Sequence, residues 1–384
     1  MTPFVIRECT VSTIHWSEGG SRRSARWRSE NDTPAPTRVV VVDYTTTANA
    51  AYRLAKGGTA LLWRGDYHNA RQLLRAMDRR LEREGAKHPS RGETQFEAHR
   101  AARARRTRVL GRLLVELEAD YSLDLRRAPE VAEACLQAYG RSAEPVCISL
   151  SELLGVIGAH QWHEKGVPVP ALGANIHPGY GVFSPVRGEY IDLVATTPLP
   201  AAGVRRAFDL GTGTGVLAVV LARRGVERVV ATDINPRAVD SARSTMVQFG
   251  IAGSVEVIEA DLYPPGRADL VVCNPPWLPG RPTSMLEAGV YDPGNDMLHR
   301  FLGGLAEHLE PGGEGWLVLS DLAEHLGLRT RAELVRMIDE AGLRIAGRAD
   351  TTPRHPRSSD AKDALHAARR AEVTSLWRLV PDRS

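Results

Sequence analysis

From about residue 171 to the end of the chain, short apolar runs alternate with stretches of helical spacing. Arg206–Leu210, Arg228–Thr232, Val255–Ile258, Asp269–Cys273 and Gly315–Ser320 read as strands. The stretches after them, to Arg224, to Phe249, through His308 and from Thr330 to Ala341, read as helices. This alternation predicts a parallel sheet with helices on both faces. Leu343–Ala349 and Val373–Val380 are two further strand-like runs without a clear crossover helix, so they are expected to pair antiparallel at one edge.

Between residues 38 and 170 the spacing predicts a mainly helical domain. Tyr67–Arg83 carries Leu73, Leu74, Met77 and Leu81 on one helical stripe, and Glu97–Glu118 carries Val109, Leu110, Leu113, Leu114 and Leu117. Pro129 is placed to open a helix over Glu130–Tyr139. Residues 1–37 are rich in Ser, Arg and Gly, poor in periodic apolar positions and closed by Pro34 and Pro36. They read as a flexible tail, or as a solvated arm that touches RNA.

Composition narrows the picture. A chain of 384 residues suggests two domains. Its net charge of +3 is nearly balanced, so any polyanion-binding surface must be local. Cys9, Cys135, Cys147 and Cys273 are scattered and form no CxxC pair, which argues against a disulfide framework or zinc site and fits a reducing cytoplasm. The longest apolar runs, such as Val39–Val42, are strand-sized, whereas a membrane helix needs about 20 apolar residues. Arg7 and Glu8 leave the amino terminus without a signal-like apolar core.

Two local clusters invite function. Arg100, Arg103, Arg105, Arg106, Arg108 and Arg112 crowd one predicted helix, either as a phosphate-binding face for RNA or as a solvated helix face. His160 and His163 are three apart but lack a convincing third ligand, so no metal is expected.

The strongest signals follow two of the predicted strands. Phe208-Asp209-Leu210-Gly211-Thr212-Gly213-Thr214-Gly215 leaves a strand and opens a helix. Glycines there let the backbone turn tightly and approach a ligand. Asp233 ends the next strand, where a carboxylate can accept from both hydroxyls of a ribose. A dinucleotide enzyme or a bare turn would share this layout. The form here is DxGxGxG, however, and Asp209 would repel a pyrophosphate while helping to hold a cationic amino-acid group. S-adenosylmethionine is therefore the expected cofactor. Asp261 ends the third strand and could accept from an adenine amino group, or cap a turn.

Asn274-Pro275-Pro276-Trp277 follows the fourth strand. The prolines stiffen a turn at the carboxyl edge of the sheet, where open α/β folds bind ligands. A planar amide or base nitrogen is a poor nucleophile, because its lone pair is delocalised. Side-chain and main-chain carbonyls of Asn274 and Pro275 could accept its two N–H bonds and stabilise charge that develops on it. Trp277 offers a stacking face. The plain alternative is a proline turn.

These residues resemble the class I methyltransferases of the small-domain superfamily, which includes HemK-like protein glutamine methyltransferases and ribosomal RNA guanine-N2 methyltransferases. The resemblance covers about residues 175–384. Gly179-Tyr180-Gly181-Val182-Phe183-Ser184-Pro185 resembles the family segment that precedes the first strand and lines the cofactor site. The resemblance implies a Rossmann-like sheet of seven strands with the last antiparallel. It also implies a cofactor set of Phe183, Asp209, Gly211, Thr212, Gly213, Gly215, Asp233, Ile234, Asp261, Leu262 and Asn274, with Asn274, Pro275 and Trp277 at the transfer site. The family usually carries Tyr or Phe where this chain has Trp277, which implies a larger or differently shaped pocket. His355, near Pro353 and Pro356, and His366 fall in an insertion that overlooks the active site in the resembling folds. Tyr291–Asp296 is turn-rich, with Asn295 placed to cap a helix or close over substrate.

The expected activity is N-methyl transfer to a planar nitrogen of a macromolecule, RNA or protein. Methylation of a small metabolite, a non-catalytic cofactor-binding scaffold and a nicotinamide-dependent dehydrogenase are the alternatives. The last two leave the Asn274–Trp277 turn unexplained.

Overall fold

A computed structural model describes residues 12–85, 94–282, 285–354 and 365–382. The chain divides into two compact units, Met1–His160 and Gln161–Ser384.

The first unit is an α/β sheet, which corrects the expectation of a mainly helical domain. In chain order it contains β1 (Ser12–Glu18), β2 (Ser21–Trp27), β3 (Val39–Val42), α1 (Ala48–Lys56), β4 (Ala60–Trp63), α2 (Tyr67–Gly85), α3 (Gln95–Leu110), β5 (Leu113–Leu117), α4 (Ala132–Tyr139), β6 (Val146–Ser149) and α5 (Leu150–Lys165), which runs on past His160. The sheet order is β1-β2-β6-β5-β4-β3. Strands β3, β4 and β5 are parallel to their neighbours in that run, and β5 is antiparallel to β6.

The difference has a physical cause. Strands β4 and β6 are four residues long and buried throughout, so they show an apolar run with no period-two alternation. Leu113, Leu114 and Leu117 fit helical spacing equally well, but α3 stops at Leu110 with Gly111 after it, and those leucines form β5. Ser12–Trp27, expected to belong to a flexible tail, is a hairpin about Gly19 and Gly20, both with positive φ. Its buried face is only Ile14, Trp16, Ala25 and Trp27, separated by polar residues that mask it.

The second unit adds β7 (Val167–Val169), β8 (Ala174–Ile176), α6 (Glu189–Thr196), β9 (Arg206–Leu210), α7 (Val216–Arg223), β10 (Arg228–Asp233), α8 (Pro236–Gln248), β11 (Val255–Glu259) and β12 (Ala268–Cys273). It continues with α9 (Met285–Ala288), α10 (Asp296–His308), β13 (Leu309–Ser320), α11 (Leu322–His325), α12 (Arg331–Glu340), β14 (Leu343–Thr351), α13 (His366–Ala371) and β15 (Thr374–Pro381). The seven-stranded sheet runs β11-β10-β9-β12-β13-β15-β14, and β15 is antiparallel to both neighbours. This is the sheet the sequence predicted, with its antiparallel edge pair.

Both faces of the sheet are packed. Ala207, Val229, Ala231, Leu270 and Val272 lie in one core, while Phe208, Leu210, Val230, Val271 and Cys273 lie in the other. Period-two alternation in strands that are apolar on both sides needs helices on both sides, and α7 and α10 supply them. Among the described residues no helix is long and apolar enough to cross a membrane.

Candidate cofactor and transfer site

The site is assembled by strand register. Thr232 and Cys273 each sit opposite Leu210, so Asp233, Gly211 and Asn274 leave the sheet at one level on its carboxyl edge. That edge carries the ligand in open parallel sheets.

Gly211, Gly213 and Gly215 all have positive φ (70°, 57° and 80°), which explains glycine at each. A Cβ at Gly215 would also stand 2.5 Å from Met246 Cε, so the methionine would have to shift, and 3.2 Å from Ala242 Cβ. Gly213 is different: nothing among the described residues lies within 4 Å of its Cβ position, so the loop presents bare backbone to open space there.

Two carboxylates hold the loop. Asp209 is buried, and its Oδ2 accepts from Thr212 Oγ1 (2.6 Å) and Ala218 N–H (3.0 Å). Burial pushes its carboxyl up to about 6, against those two bonds. Asp233 Oδ2 accepts from Gly213 N–H (2.9 Å) and Oδ1 from Asn235 N–H (2.9 Å). Its carboxyl is also raised by burial. A carboxylate has about four acceptor positions, so Asp233 retains capacity for ligand hydroxyls.

Beyond Asp233, Ile234 is 51% exposed, an apolar surface beside a carboxylate that suits an adenosine. Leu262 takes φ 80°, rare for a side-chain-bearing residue, and its carbonyl accepts from Thr232 Oγ1 at 2.6 Å. Asp261 is half-exposed and pairs with Arg300 of α10 at 2.8 Å. Phe183 packs on Gly289, where a Cβ would stand 3.0 Å from the Phe183 Cβ.

At the transfer turn, Trp277 Nε1–H donates to Asn274 Oδ1 at 2.8 Å. Pro275 is buried. The Arg187 guanidinium lies over the Trp277 ring, 4.6 Å from its centroid. Arg187 in turn donates to Glu189 (2.9 Å) and Glu372 (2.8 Å), and Ser320 Oγ donates to the same Glu372 oxygen at 2.5 Å. The sequence reading missed this cluster, whose partners stand up to 185 positions apart. The segment after Trp277 folds back on itself: Leu278 N–H donates to Val290 O and Asp292 N–H to Leu278 O.

Asn295 does not cap α10. It takes φ 58° without a side-chain cap bond, and its Oδ1 accepts from Arg329 Nη1 (2.9 Å). Asp292 does the capping, through Met297 N–H and Leu298 N–H.

The other clusters have local partners. Arg105 pairs with Glu84, and Arg106 grips both oxygens of Asp78 at 2.6 and 2.5 Å. His160 meets Gln137 and His163 meets the Pro178 carbonyl through their Nδ1 atoms. His366 opens α13, its Nδ1 buried and without a partner among the described residues. His355, Pro356, Cys9, Arg7 and Glu8 lie outside the described residues.

A β11-β10-β9-β12-β13-β15-β14 sheet with this glycine loop, followed by an acidic residue at the end of the next strand, defines a class I S-adenosylmethionine-dependent methyltransferase. Residues 174–339 match the family model of the methyltransferase small domain. A candidate protein N5-glutamine methyltransferase of Methanocaldococcus jannaschii is 30% identical over 164 residues, 41% of this chain and 80% of that protein. The chain therefore belongs to the small-domain methyltransferase family. A ribosomal protein L11 methyltransferase of Pelotomaculum thermopropionicum is 51% identical over 69 residues, 17% of this chain and 22% of that enzyme. The Escherichia coli ribosomal RNA small subunit methyltransferase C is 32% identical over 110 residues, 28% of this chain and 29% of that protein. This chain thus spans less than a third of those last two relatives.

Proposed function

We propose that this enzyme methylates a planar nitrogen in a macromolecule, with the side-chain amide of a protein glutamine as the favoured acceptor. The carrying observation is the Asn274–Pro275 turn, which leaves the sheet level with the glycine loop, with Asn274 Oδ1 held by a neighbouring N–H. S-adenosylmethionine, when bound, supplies an electrophilic methyl group. The residues fit it: Gly213 faces open space, Asp233 stands at the loop, and Ile234 presents an apolar surface. In this reading Asp233 accepts from the ribose hydroxyls. Ile234, Asp261 and Leu262 frame the adenine. Phe183, Asp209 and the loop from Gly211 through Thr212 to Gly215 border the methionine part.

Asn274 Oδ1 and the Pro275 carbonyl accept the two N–H bonds of the acceptor. That orients its lone pair and stabilises positive charge as it forms, while Trp277 stacks on the acceptor plane. The proton leaves to solvent after the new bond is made, so no general base precedes transfer. The first unit would present the macromolecule.

Two observations favour protein over RNA. Of the three relatives above, the one covered most fully is named for glutamine methylation. Arg105 and Arg106, central to the basic helix, are neutralised by Glu84 and Asp78. Incubation with methyl-labelled cofactor and cell extract tests the reading. Label that resists nuclease and yields to protease supports it. Label released by nuclease assigns an RNA base instead, and label that stays in the small-molecule fraction assigns a metabolite.

A further inference from the structure

The resemblance implies Tyr or Phe at the position of Trp277, and an indole there brings one chemical difference. Phenylalanine has no donor, and tyrosine carries its hydroxyl at the far end of the ring. An indole has an N–H on its edge, and here that N–H reaches Asn274 Oδ1 at 2.8 Å. The oxygen it meets is the one the transfer chemistry requires. A side-chain amide can flip, exchanging its oxygen acceptor for an NH2 donor, and a donor aimed at an acceptor's N–H would oppose binding. Indole N–H can only donate, so it is compatible with one of the two orientations. A carbonyl oxygen has two lone pairs, and the second is left for the incoming N–H.

The indole is itself held. The Arg187 guanidinium stands over its ring, 4.6 Å from the centroid, and the partly buried ring also packs against both cores of the sheet. Arg187 is fixed by Glu189 and Glu372, whose side chains are 1% and 0% exposed. Buried charges persist in such numbers only when bonded to one another, and Ser320 adds a further bond to Glu372. The clamp joins the segment before β9 to the turn before β15, so it ties the indole plane to both ends of the catalytic unit.

We propose that Arg187, gripped by Glu189 and Glu372, sets the plane of Trp277, and that Trp277 locks the Asn274 amide as an acceptor. Arg187 is thus a positioning residue, and Trp277 positions Asn274 in addition to stacking on the acceptor. The inference rests on the reading of Asn274 as the acceptor of the substrate N–H.

The test combines spectroscopy and kinetics. The chain has seven tryptophans, so indole-15N labelling gives a countable set of side-chain signals, and loss of one in Trp277→Phe assigns it. Its N–H should exchange slowly with solvent in the native protein and faster in both Asn274→Ala and Arg187→Lys. Kinetics use labelled cofactor, with cell extract titrated as the methyl acceptor. Trp277→Phe keeps a stacking ring and loses only the N–H, and Arg187→Lys keeps the charge between two carboxylates and loses the flat guanidinium. Each should lower kcat about three- to tenfold, the net worth of one hydrogen bond, with KM and S-adenosylhomocysteine affinity nearly unchanged. Native kcat in both variants, with Asn274→Ala inactive, overturns the relay and leaves the acceptor reading intact. Native turnover in Asn274→Ala overturns the acceptor reading itself. Should Arg187→Lys fail to fold, Trp277→Phe and the exchange rate of the indole in Asn274→Ala decide the matter.

Discussion

Replacing Asp209 with asparagine should make the protein more stable and a poorer cofactor binder. Asp209 is buried to 1% exposure, and its carboxyl is pushed up from 3.8 to about 6 by desolvation, despite bonds from Thr212 and Ala218. The folded state therefore holds a proton more tightly than the unfolded chain does. Stability is greatest below the unfolded value and falls as pH rises from about 4 to about 6. At 1.36 kcal/mol per pH unit, the gap between 3.8 and about 6 corresponds to about 3 kcal/mol lost by pH 7. An asparagine side chain there would carry no charge at any pH, and its oxygen can take the place of Oδ2 toward both donors. Urea unfolding at pH 4 and pH 8 reads the effect. The native protein should lose up to about 3 kcal/mol between the two through this group, and Asp209→Asn should lose correspondingly less. On the proposed reading, in which Asp209 borders the cationic amino group of the cofactor, calorimetry with S-adenosylhomocysteine should show weaker binding in the same variant. An Asp209→Asn variant less stable than the native protein at pH 8 would refute the reasoning, because the two charge-assisted bonds would then outweigh the burial of the charge.

Two further outcomes follow from single positions. Gly215→Ala should destabilise the protein by roughly 1–3 kcal/mol in thermal or urea unfolding, because the Cβ would meet Met246 Cε at 2.5 Å and φ is 80°. Met246→Ala should restore only part of the loss, and full rescue would assign the whole effect to the steric contact. In the first unit Glu152 is raised from 4.5 to about 7, chiefly by burial, so its charge weakens the fold as pH climbs through that interval. Glu152→Gln can accept from Glu30 N–H and donate to Tyr139 Oη, and it should raise the melting temperature at pH 8 but not at pH 4. An unchanged pH slope would remove Glu152 as its source.

The legible part of this molecule is encoded by residues whose backbone freedom is itself limited or extended. Gly211, Gly213 and Gly215 sit where φ is positive, and prolines follow Asn274, so the ends of β9 and β12 could be placed from the sequence alone. The alternation beyond residue 171 was legible because β9, β10, β12 and β13 are each followed by helical sequence before the next strand. In the first unit the same logic fails. Ala60–Trp63 and Val146–Ser149 are buried on every residue, and a run of four buried residues has no period to read. Leu113–Leu117 misled for a further reason: it continues the apolar spacing of the helix before it, and only Gly111 marks the break.

The transfer site divides along the same physical line. Asn274 and Trp277 are three residues apart and could be nominated together, but the direction of the bond between them depends on side-chain rotamers. The clamp behind Trp277 has no sequence signal at all. Arg187 and Glu189 look like an ordinary surface pair on paper, and Glu372 stands 185 positions from the arginine it holds. Only the register of β15 against β13, Ser320 opposite Thr374, brings Glu372 to the end of β13, where Ser320 meets it. A tyrosine or phenylalanine at position 277 would still stack, and its amide partner would be free to flip. The cost of that freedom depends on charges contributed by a segment that no local reading connects to the turn. The identity of the ring and the integrity of the distant clamp are thus one property, and substitutions at Trp277 and Arg187 should be non-additive in kcat.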